Sequence, residues 1–358
     1  MPNFASISTF IDRLVSNGRT PGAGLAIAVE GQPVYEHFAG FAREGRPSGP
    51  ESVWPVASIT KLYTAAAIMR LVEQGLLTLN LPVQKVLPEF EGGEYGKITL
   101  RQLLTHTSGL PYESPSHEDR LSERAPVDAM TDEAVTLELE FAPGTRQLYS
   151  DLGYAVAGRM AARASGQTFE ALVRHHLLDQ AGLRETWLPA PDSVYSRVAH
   201  VEGAVGRTPD TEMYNSAYGL SLAHPAFGAV ATLSDLLSFG LLFDPFAAPC
   251  FFARASLDVM TTDQTCGDVP GDSVIEPAGI IHPWGIGFML KGRSSIPELA
   301  SPGSYGHGGA TGCYLWIDPA RRATIAFVSN KHYRSDPDDL MPRLDQVLNV
   351  VLGELSRE

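Results

Sequence analysis

The tetrapeptide Ser58-Ile59-Thr60-Lys61 follows a Pro-containing segment and opens a helical pattern over residues 61–74, with Gly75 as its predicted stop. Residues three apart share one face of a helix, so the Ser58 hydroxyl and the Lys61 amine are expected to lie within reach of each other. A serine becomes a good nucleophile when a nearby base takes its proton, and a lysine is such a base when it is neutral. Burial and the positive helix N-terminus would both favour the neutral amine. The tetrapeptide therefore indicates a nucleophilic serine.

Taken alone, the tetrapeptide also fits a structural interpretation, in which Ser58 caps a helix and Lys61 is a solvated side chain of the first turn. Lys61 is the one lysine of five with a serine three residues before it. A single match of this kind arises readily by chance in a long chain. Further segments have to decide between the two interpretations.

The composition is that of a globular protein with a sizeable core. The chain has 358 residues, 44% hydrophobic and 19% charged, enough for one large domain or for a body with an insertion. The formal charge of −14 argues against nucleic acid and anionic membranes as partners. We expect a small-molecule substrate, and nothing in the sequence indicates an oligomeric state.

No cofactor is implied by the cysteines. Cys250, Cys266 and Cys313 are odd in number and widely spaced, so they predict neither a disulfide framework nor a metal site. The most apolar stretch, residues 236–252, is interrupted by polar residues and prolines, and we expect no membrane span.

The N-terminal residues predict a mature helix. They lack a basic region followed by an unbroken apolar run, and their large apolar residues recur at helical spacing: Phe4, Ile7, Ile11 and Leu14. A cytoplasmic location is the default expectation.

Two hairpins are predicted near the chain ends. Residues 24–29 and 33–38 flank a short turn, as do residues 312–317 and 323–329, and a closing helix is expected over residues 338–355. The pattern predicts an α+β fold, with one antiparallel sheet built from both chain ends, flanked by the terminal helices, and a large, mostly helical insertion.

The predicted boundaries divide the chain into a body and an insertion. The body comprises residues 1–85 and 283–358, and the helical domain comprises residues 86–282. A substrate is expected in the cleft between them.

Two further segments carry polar residues suited to catalysis. Tyr149-Ser150-Asp151 leads into a helix that is predicted to end near Gly166, and a glycine-rich stretch, residues 306–312, precedes the last predicted strand. Each segment alone is more simply a core tyrosine with a capped helix, or an ordinary glycine turn. Their order relative to Ser58 and Lys61 is what makes them informative.

With Ser58-x-x-Lys61, the two segments stand in the order found in penicillin-recognising serine hydrolases. The chain resembles the class C β-lactamase and penicillin-binding protein family, closest in type to the family VIII carboxylesterases. Two more stretches, residues 98–111 and 284–288, look like landmarks of the same family. The resemblance covers nearly the whole chain and implies a β-lactamase/transpeptidase-like fold.

The resemblance also implies the roles of the site residues. Ser58 would be the acylated nucleophile, Lys61 its proton partner and Tyr149 the second member of the acid–base pair. Which of Lys61 and Tyr149 takes the first proton stays open. The backbone N–H groups of Ser58 and Ala310 would form the oxyanion hole.

Four residues are expected to contact the substrate: Asp151, His307, Gly308 and Gly309. Family members that hydrolyse β-lactams usually carry Asn where this chain has Asp151, and Lys-Thr-Gly at residues 307–309. An ionised Asp can only accept hydrogen bonds, and a mostly neutral His binds a carboxylate less well than a Lys. Asp151 near Lys61 would also favour the ammonium form.

These departures favour a carboxylesterase acting on small to medium acyl esters through an acyl-enzyme. The alternative is an amide hydrolase of the β-lactamase, D-alanyl-D-alanine carboxypeptidase or D-aminopeptidase type. A catalytically silent binding module is a third hypothesis, against which the complete set of Ser58, Lys61 and Tyr149 argues. A Ser-His-Asp hydrolase is rejected because the chain lacks Gly-x-Ser-x-Gly. Acyl and alcohol preference should depend on residues 112–135 and 243–282.

Overall fold

A seven-stranded antiparallel sheet forms the centre of the computed structural model, which describes residues 3–265, 274–275, 283–292 and 297–357. Its strands are β1 (Gly22–Val29), β2 (Gln32–Arg43), β3 (Arg46–Pro47), β9 (Met289–Leu290), β10 (Tyr305–Gly308), β11 (Tyr314–Asp318) and β12 (Ala323–Ser329). They lie in the order β3-β2-β1-β12-β11-β10-β9. Both chain ends therefore contribute to one sheet, and the predicted hairpins β1–β2 and β11–β12 are confirmed.

The segment between the chain ends is mostly helical. Its helices are α2 (Thr60–Glu73), α3 (Leu100–Leu104), α4 (His117–Ser122), α5 (Val127–Asp132), α6 (Asp151–Ser165), α7 (Phe169–Val173), α8 (Asp179–Ala181), α9 (Ala217–Ser221), α10 (Leu233–Leu241) and α11 (Arg254–Thr261). Two small sheets accompany them: β4 (Val53–Pro55), β7 (Val230–Thr232) and β6 (Thr186–Trp187) in one, β5 (Gln147–Leu148) with β8 (Val274–Ile275) in the other. None of the described helices is both long and apolar enough to cross a bilayer.

The terminal helices α1 (Phe4–Ser16) and α12 (Leu340–Leu355) cover one face of the large sheet. Ile7, Ile11 and Leu14 of α1 are buried, as their spacing predicts. They share a core with Trp316 and Leu348, both of which have no exposed surface. The predicted terminal helices and their packing role are confirmed.

The other face of the sheet is covered by α10, which comes from the middle of the chain. Gly240 permits this close packing, since a Cβ there would lie 2.7 Å from the Leu315 side chain and 2.8 Å from that of Thr324. Part of the segment predicted as a separate helical domain thus packs on the body. The boundaries at residues 85 and 283 remain a prediction.

A core truncation in α12 tests the packing of the terminal helices. We expect Leu348→Ala to lower the free energy of unfolding by about 2–5 kcal/mol, because it leaves a cavity between α12 and the sheet. Gln346→Ala, on the exposed side of the same helix, should change it by less than about 0.5 kcal/mol. Denaturant unfolding followed by circular dichroism measures both, and equal effects would contradict the packing described.

Candidate active site

Ser58 lies on a 3-10 turn, Ala57–Ile59, that leads directly into α2. The turn begins at Ala57, whose φ of +47° is rare for a residue with a side chain. Two hydroxyl groups hold it, because Thr60 Oγ1 donates to the Ala57 carbonyl at 2.6 Å and Thr311 Oγ1 donates to the Pro55 carbonyl at 2.7 Å. The nucleophile therefore sits on a strained turn that its neighbours keep in place.

The Lys61 amine is fully buried and lies 3.3 Å from the Ser58 hydroxyl. It also contacts the Ala226 carbonyl at 3.2 Å and the Asp151 carboxylate at 2.6 Å. An ammonium can donate to all three oxygens, whereas a neutral amine can donate to two and accept the proton of Ser58. The same three contacts thus suit Lys61 before and after proton transfer.

The carboxylate of Asp151 affects whether Lys61 is in its charged or its neutral form. Asp151 is the first residue of α6, and its side chain is 9% exposed. An ionised carboxylate at 2.6 Å favours the ammonium form of Lys61 and opposes the effect of burial. The expectation that Asp151 lies beside Lys61 is confirmed, so burial alone does not set the charge of the amine.

Tyr149 lies against the Lys61 amine, which is 4.5 Å from the centre of its ring. Four rings surround it, with centroid distances of 4.3 Å to His106, 5.8 Å to Trp284, 6.1 Å to His307 and 6.2 Å to Tyr112. A cation over a ring face is attracted by the ring quadrupole. The structure therefore brings the three predicted catalytic residues, Ser58, Lys61 and Tyr149, together.

His106 has a structural role, as its apolar surroundings predict. The backbone N–H of Ser150 donates to its Nδ1 at 3.0 Å, and the N–H of Leu148 donates to its carbonyl at 2.9 Å. Burial lowers the pKa of His106 well below its usual range, and the nearby Lys61 charge acts in the same direction. A neutral His106 thus holds the segment that carries Tyr149 and Asp151.

The predicted oxyanion hole lies where the end of β10 meets the turn of Ser58. Within the described residues, no backbone or side-chain acceptor takes a hydrogen bond from the N–H of Ser58 or Ala310. Both residues line the same cleft. Two free backbone donors next to the nucleophile are what a tetrahedral oxyanion requires.

Gly308 and Gly309 are required for packing within the protein. A Cβ at Gly309 would lie 2.4 Å from the Val56 carbonyl oxygen, and one at Gly308 would lie 2.9 Å from the Tyr314 ring. The expected contact of these two glycines with the substrate stays a prediction. The structure shows that Gly309 also lets β10 approach the turn of Ser58.

His307 is 2% exposed and lies behind Tyr149, with its Nδ1–H donating to the Gly308 carbonyl at 2.6 Å. Its ring centroid is 5.6 Å from that of Trp284. The side chain is buried among aromatic rings, and the expected contact of His307 with the substrate stays a prediction. The contact with Tyr149 makes it a neighbour of the acid–base group.

The cleft above Ser58 is enclosed by residues that sequence patterns did not single out. It has a volume of about 530 Å³, including its open mouth, and its wall contains Tyr112, Glu113, Tyr214, Tyr333 and Arg334. Tyr112 and Glu113 lie within residues 112–135, on which acyl and alcohol preference is predicted to depend, whereas no local sequence signal indicates Tyr214, Tyr333 or Arg334. The second segment predicted to set acyl and alcohol preference, residues 243–282, is described only in part. Outside the described residues lie 266–273, which include Cys266, and 276–282. Within the described residues, no three His, Cys, Asp or Glu side chains are grouped as metal ligands.

The chain belongs to the Beta-lactamase family, whose model matches residues 7–349. Penicillin-binding protein 4 of Amycolatopsis lactamdurans is 28% identical over 336 residues, which cover 89% of this chain and 83% of that protein. Esterase EstB of Burkholderia gladioli is 35% identical over 198 residues, covering 51% of this chain and 50% of that protein. The solved structure of EstCE1, a hydrolase with promiscuous acyltransferase activity, superposes with a TM-score of 0.80 at 19% identity, covering 99% of this chain and 98% of that one.

These similarities confirm the predicted family and the β-lactamase/transpeptidase-like fold. At 19% identity, the likeness to EstCE1 concerns the fold alone. Family membership, together with a serine that contacts a buried lysine, defines a serine hydrolase.

Substitution of Gly309 tests the contact between β10 and the nucleophile's turn. We expect Gly309→Ala to lower kcat at least about tenfold, since the added Cβ has to displace the Val56 backbone and with it Ser58 and the oxyanion donors. Gly49→Ala is a matched control, because its Cβ would meet open space. Steady-state kinetics with an activated ester measure both, and wild-type kcat in Gly309→Ala would refute the role assigned to the contact.

Removal of the Asp151 charge should shift the pH dependence of activity. Asp151→Asn takes a negative charge away from Lys61 and Tyr149, so either group releases its proton more readily. The rising limb of the rate against pH should therefore move to lower pH, by at least about one pH unit. Asp210→Asn, on the exposed surface, should leave the profile unchanged. An unshifted profile in Asp151→Asn would show that its charge does not act on the base.

Proposed function

We propose that this protein is a carboxylesterase that cleaves small to medium acyl esters through an acyl-enzyme on Ser58. The observation that carries the proposal is the contact of Asp151 with Lys61, at the position where β-lactam-hydrolysing members usually have an asparagine. The half-buried Ser58 hydroxyl, the amine beside it and the two free N–H groups supply what acyl transfer needs.

In the proposed reaction, Ser58 Oγ attacks the ester carbonyl while its proton passes to Lys61 or Tyr149. The carbonyl oxygen becomes an oxyanion that accepts hydrogen bonds from the N–H groups of Ser58 and Ala310. Collapse breaks the bond to the alcohol oxygen, which takes up the proton and leaves. Water then attacks the acyl carbon and gives a proton to the same base. The bond between the acyl carbon and Ser58 Oγ breaks, and the base returns that proton to Oγ as the acid is released. An alcohol in place of that water would give acyl transfer.

Esters fit this site better than amides for two reasons. The Asp151 carboxylate accepts hydrogen bonds and faces Lys61, so it offers no N–H to a substrate amide carbonyl, as an asparagine would. An alkoxide also leaves more readily than an unprotonated amine, so ester cleavage depends less on a strong proton donor at the leaving group.

An amide hydrolase of the β-lactamase or D-peptidase type is the second candidate. It is favoured by the similarity to a penicillin-binding protein, which extends over 89% of this chain. Against it stand the carboxylate at residue 151 and the burial of His307.

Turnover of p-nitrophenyl acetate and butyrate, compared with that of nitrocefin, distinguishes the two candidates. We expect kcat/KM for the esters to exceed that for nitrocefin at least about tenfold. Ser58→Ala should abolish both turnover and labelling by a fluorophosphonate, with mass spectrometry locating the wild-type adduct on Ser58. Faster hydrolysis of nitrocefin would reverse the substrate assignment, and undiminished ester turnover in Ser58→Ala would refute the mechanism.

A further inference from the structure

Glu113 is a carboxylate of the cleft wall whose one ionic contact in the described part of the chain is a long one to a histidine. It lines the same cleft as Ser58, and its side chain is 32% exposed. Within the described part of the chain, its carboxylate accepts no hydrogen bond, and its one contact with a basic side chain is with His117 at 3.6 Å. A half-buried carboxylate in this position is available to a group on the substrate.

The positive charge near Glu113 compensates the negative charge of this wall only in part. Burial lowers the pKa of His117, so this neighbour is neutral at neutral pH. Arg334 is the nearby cation. Its guanidinium also lies 3.6 Å from the Glu118 carboxylate, so its positive charge is divided between Glu113 and Glu118. The remaining charged or titratable groups that line the cleft are Asp151, paired with Lys61, the imidazole of His332, whose pKa burial lowers to about 4, and the phenols of Tyr112, Tyr214 and Tyr333.

Building on the proposed esterase activity, we propose that Glu113 determines charge selectivity: it disfavours substrates that carry a carboxylate and favours esters that carry a positive charge. The cleft, at about 530 Å³ including its mouth, is small enough that a charge on a bound ester lies within about one Debye length (~8–10 Å) of Glu113. A carboxylate there is repelled, and a quaternary ammonium is attracted both by Glu113 and by the faces of the neighbouring aromatic rings.

The selectivity should depend on pH. Burial, reinforced by the charge of Asp151, raises the pKa of Glu113 to about 7. Below that pH the side chain is protonated and uncharged, and above it the carboxylate forms. Discrimination between a cationic and an anionic ester should therefore be weak in mild acid and grow as pH rises through 7.

Three phenyl acetates that differ only at the meta position test the proposal: 3-methylphenyl acetate, 3-acetoxybenzoate and 3-acetoxy-N,N,N-trimethylanilinium. Their charges stay constant from about pH 5.5 to about pH 8.5, since a carboxylic acid ordinarily titrates near 4. The measured quantity is kcat/KM for the cation divided by kcat/KM for the anion. Because the catalytic groups act on both esters, their own titration largely cancels in this ratio.

In the wild-type protein, we expect the ratio to rise about three- to tenfold between the two ends of this pH range. In Glu113→Gln it should stay near the acid value of the wild type throughout. Glu123→Gln, which removes an exposed carboxylate at the end of α4 outside the cleft, should behave like wild type.

The outcomes separate this inference from the proposed function. Cleavage of the neutral ester with a ratio that neither pH nor Glu113→Gln alters would refute the role of Glu113 and leave the esterase proposal intact. Failure to cleave all three esters would overturn both.

Discussion

The buried contact between the Lys61 amine and the Asp151 carboxylate is the interaction on which the site depends. It joins α2 to the start of α6, and the amine also contacts the Ala226 carbonyl, so three distant segments converge on one nitrogen. Removing one partner of such a buried pair typically costs about 3–5 kcal/mol, because the other charge is left without compensation. The contact that orients the amine toward Ser58 therefore also holds the wall of the cleft in place.

Backbone strain lies beside the reacting groups. Ala57, next to Ser58, and His106, which holds the Tyr149 segment, both have positive φ values. Conformations of this kind cost on the order of 1–3 kcal/mol each and persist where the surrounding structure enforces them. Here the hydroxyls of Thr60 and Thr311 and the Ser150 N–H provide that support. The folded protein thus holds the Ser58 hydroxyl and the N–H groups of Ser58 and Ala310 in place before a substrate binds.

The proposed preference for esters over anionic amides rests on the electrostatic character of the cleft. A carboxylate faces the catalytic lysine, a second lines the wall, and the histidine at the position of the usual lysine is buried behind Tyr149. Charge–charge effects act over the whole of so small a cleft. Under the proposed function, this chain keeps the reactive groups of its family and differs in the charge of the substrate that it prefers.

The family resemblance indicated Ser58, Lys61 and Tyr149, which the structure places together. Local patterns were sufficient to predict the hairpins and the terminal helices, because alternation and helical spacing are properties of neighbouring residues. They did not predict that α10 packs on the large sheet, that Gly309 accommodates the Val56 backbone, or that His307 lies behind Tyr149. By itself, the sequence determined which reactive side chains are present and the order in which they follow along the chain. The tertiary structure alone decided that Glu113 shares the cleft of Ser58 and that Tyr214 and Arg334 complete its wall, since such contacts arise only when segments far apart in the chain pack together.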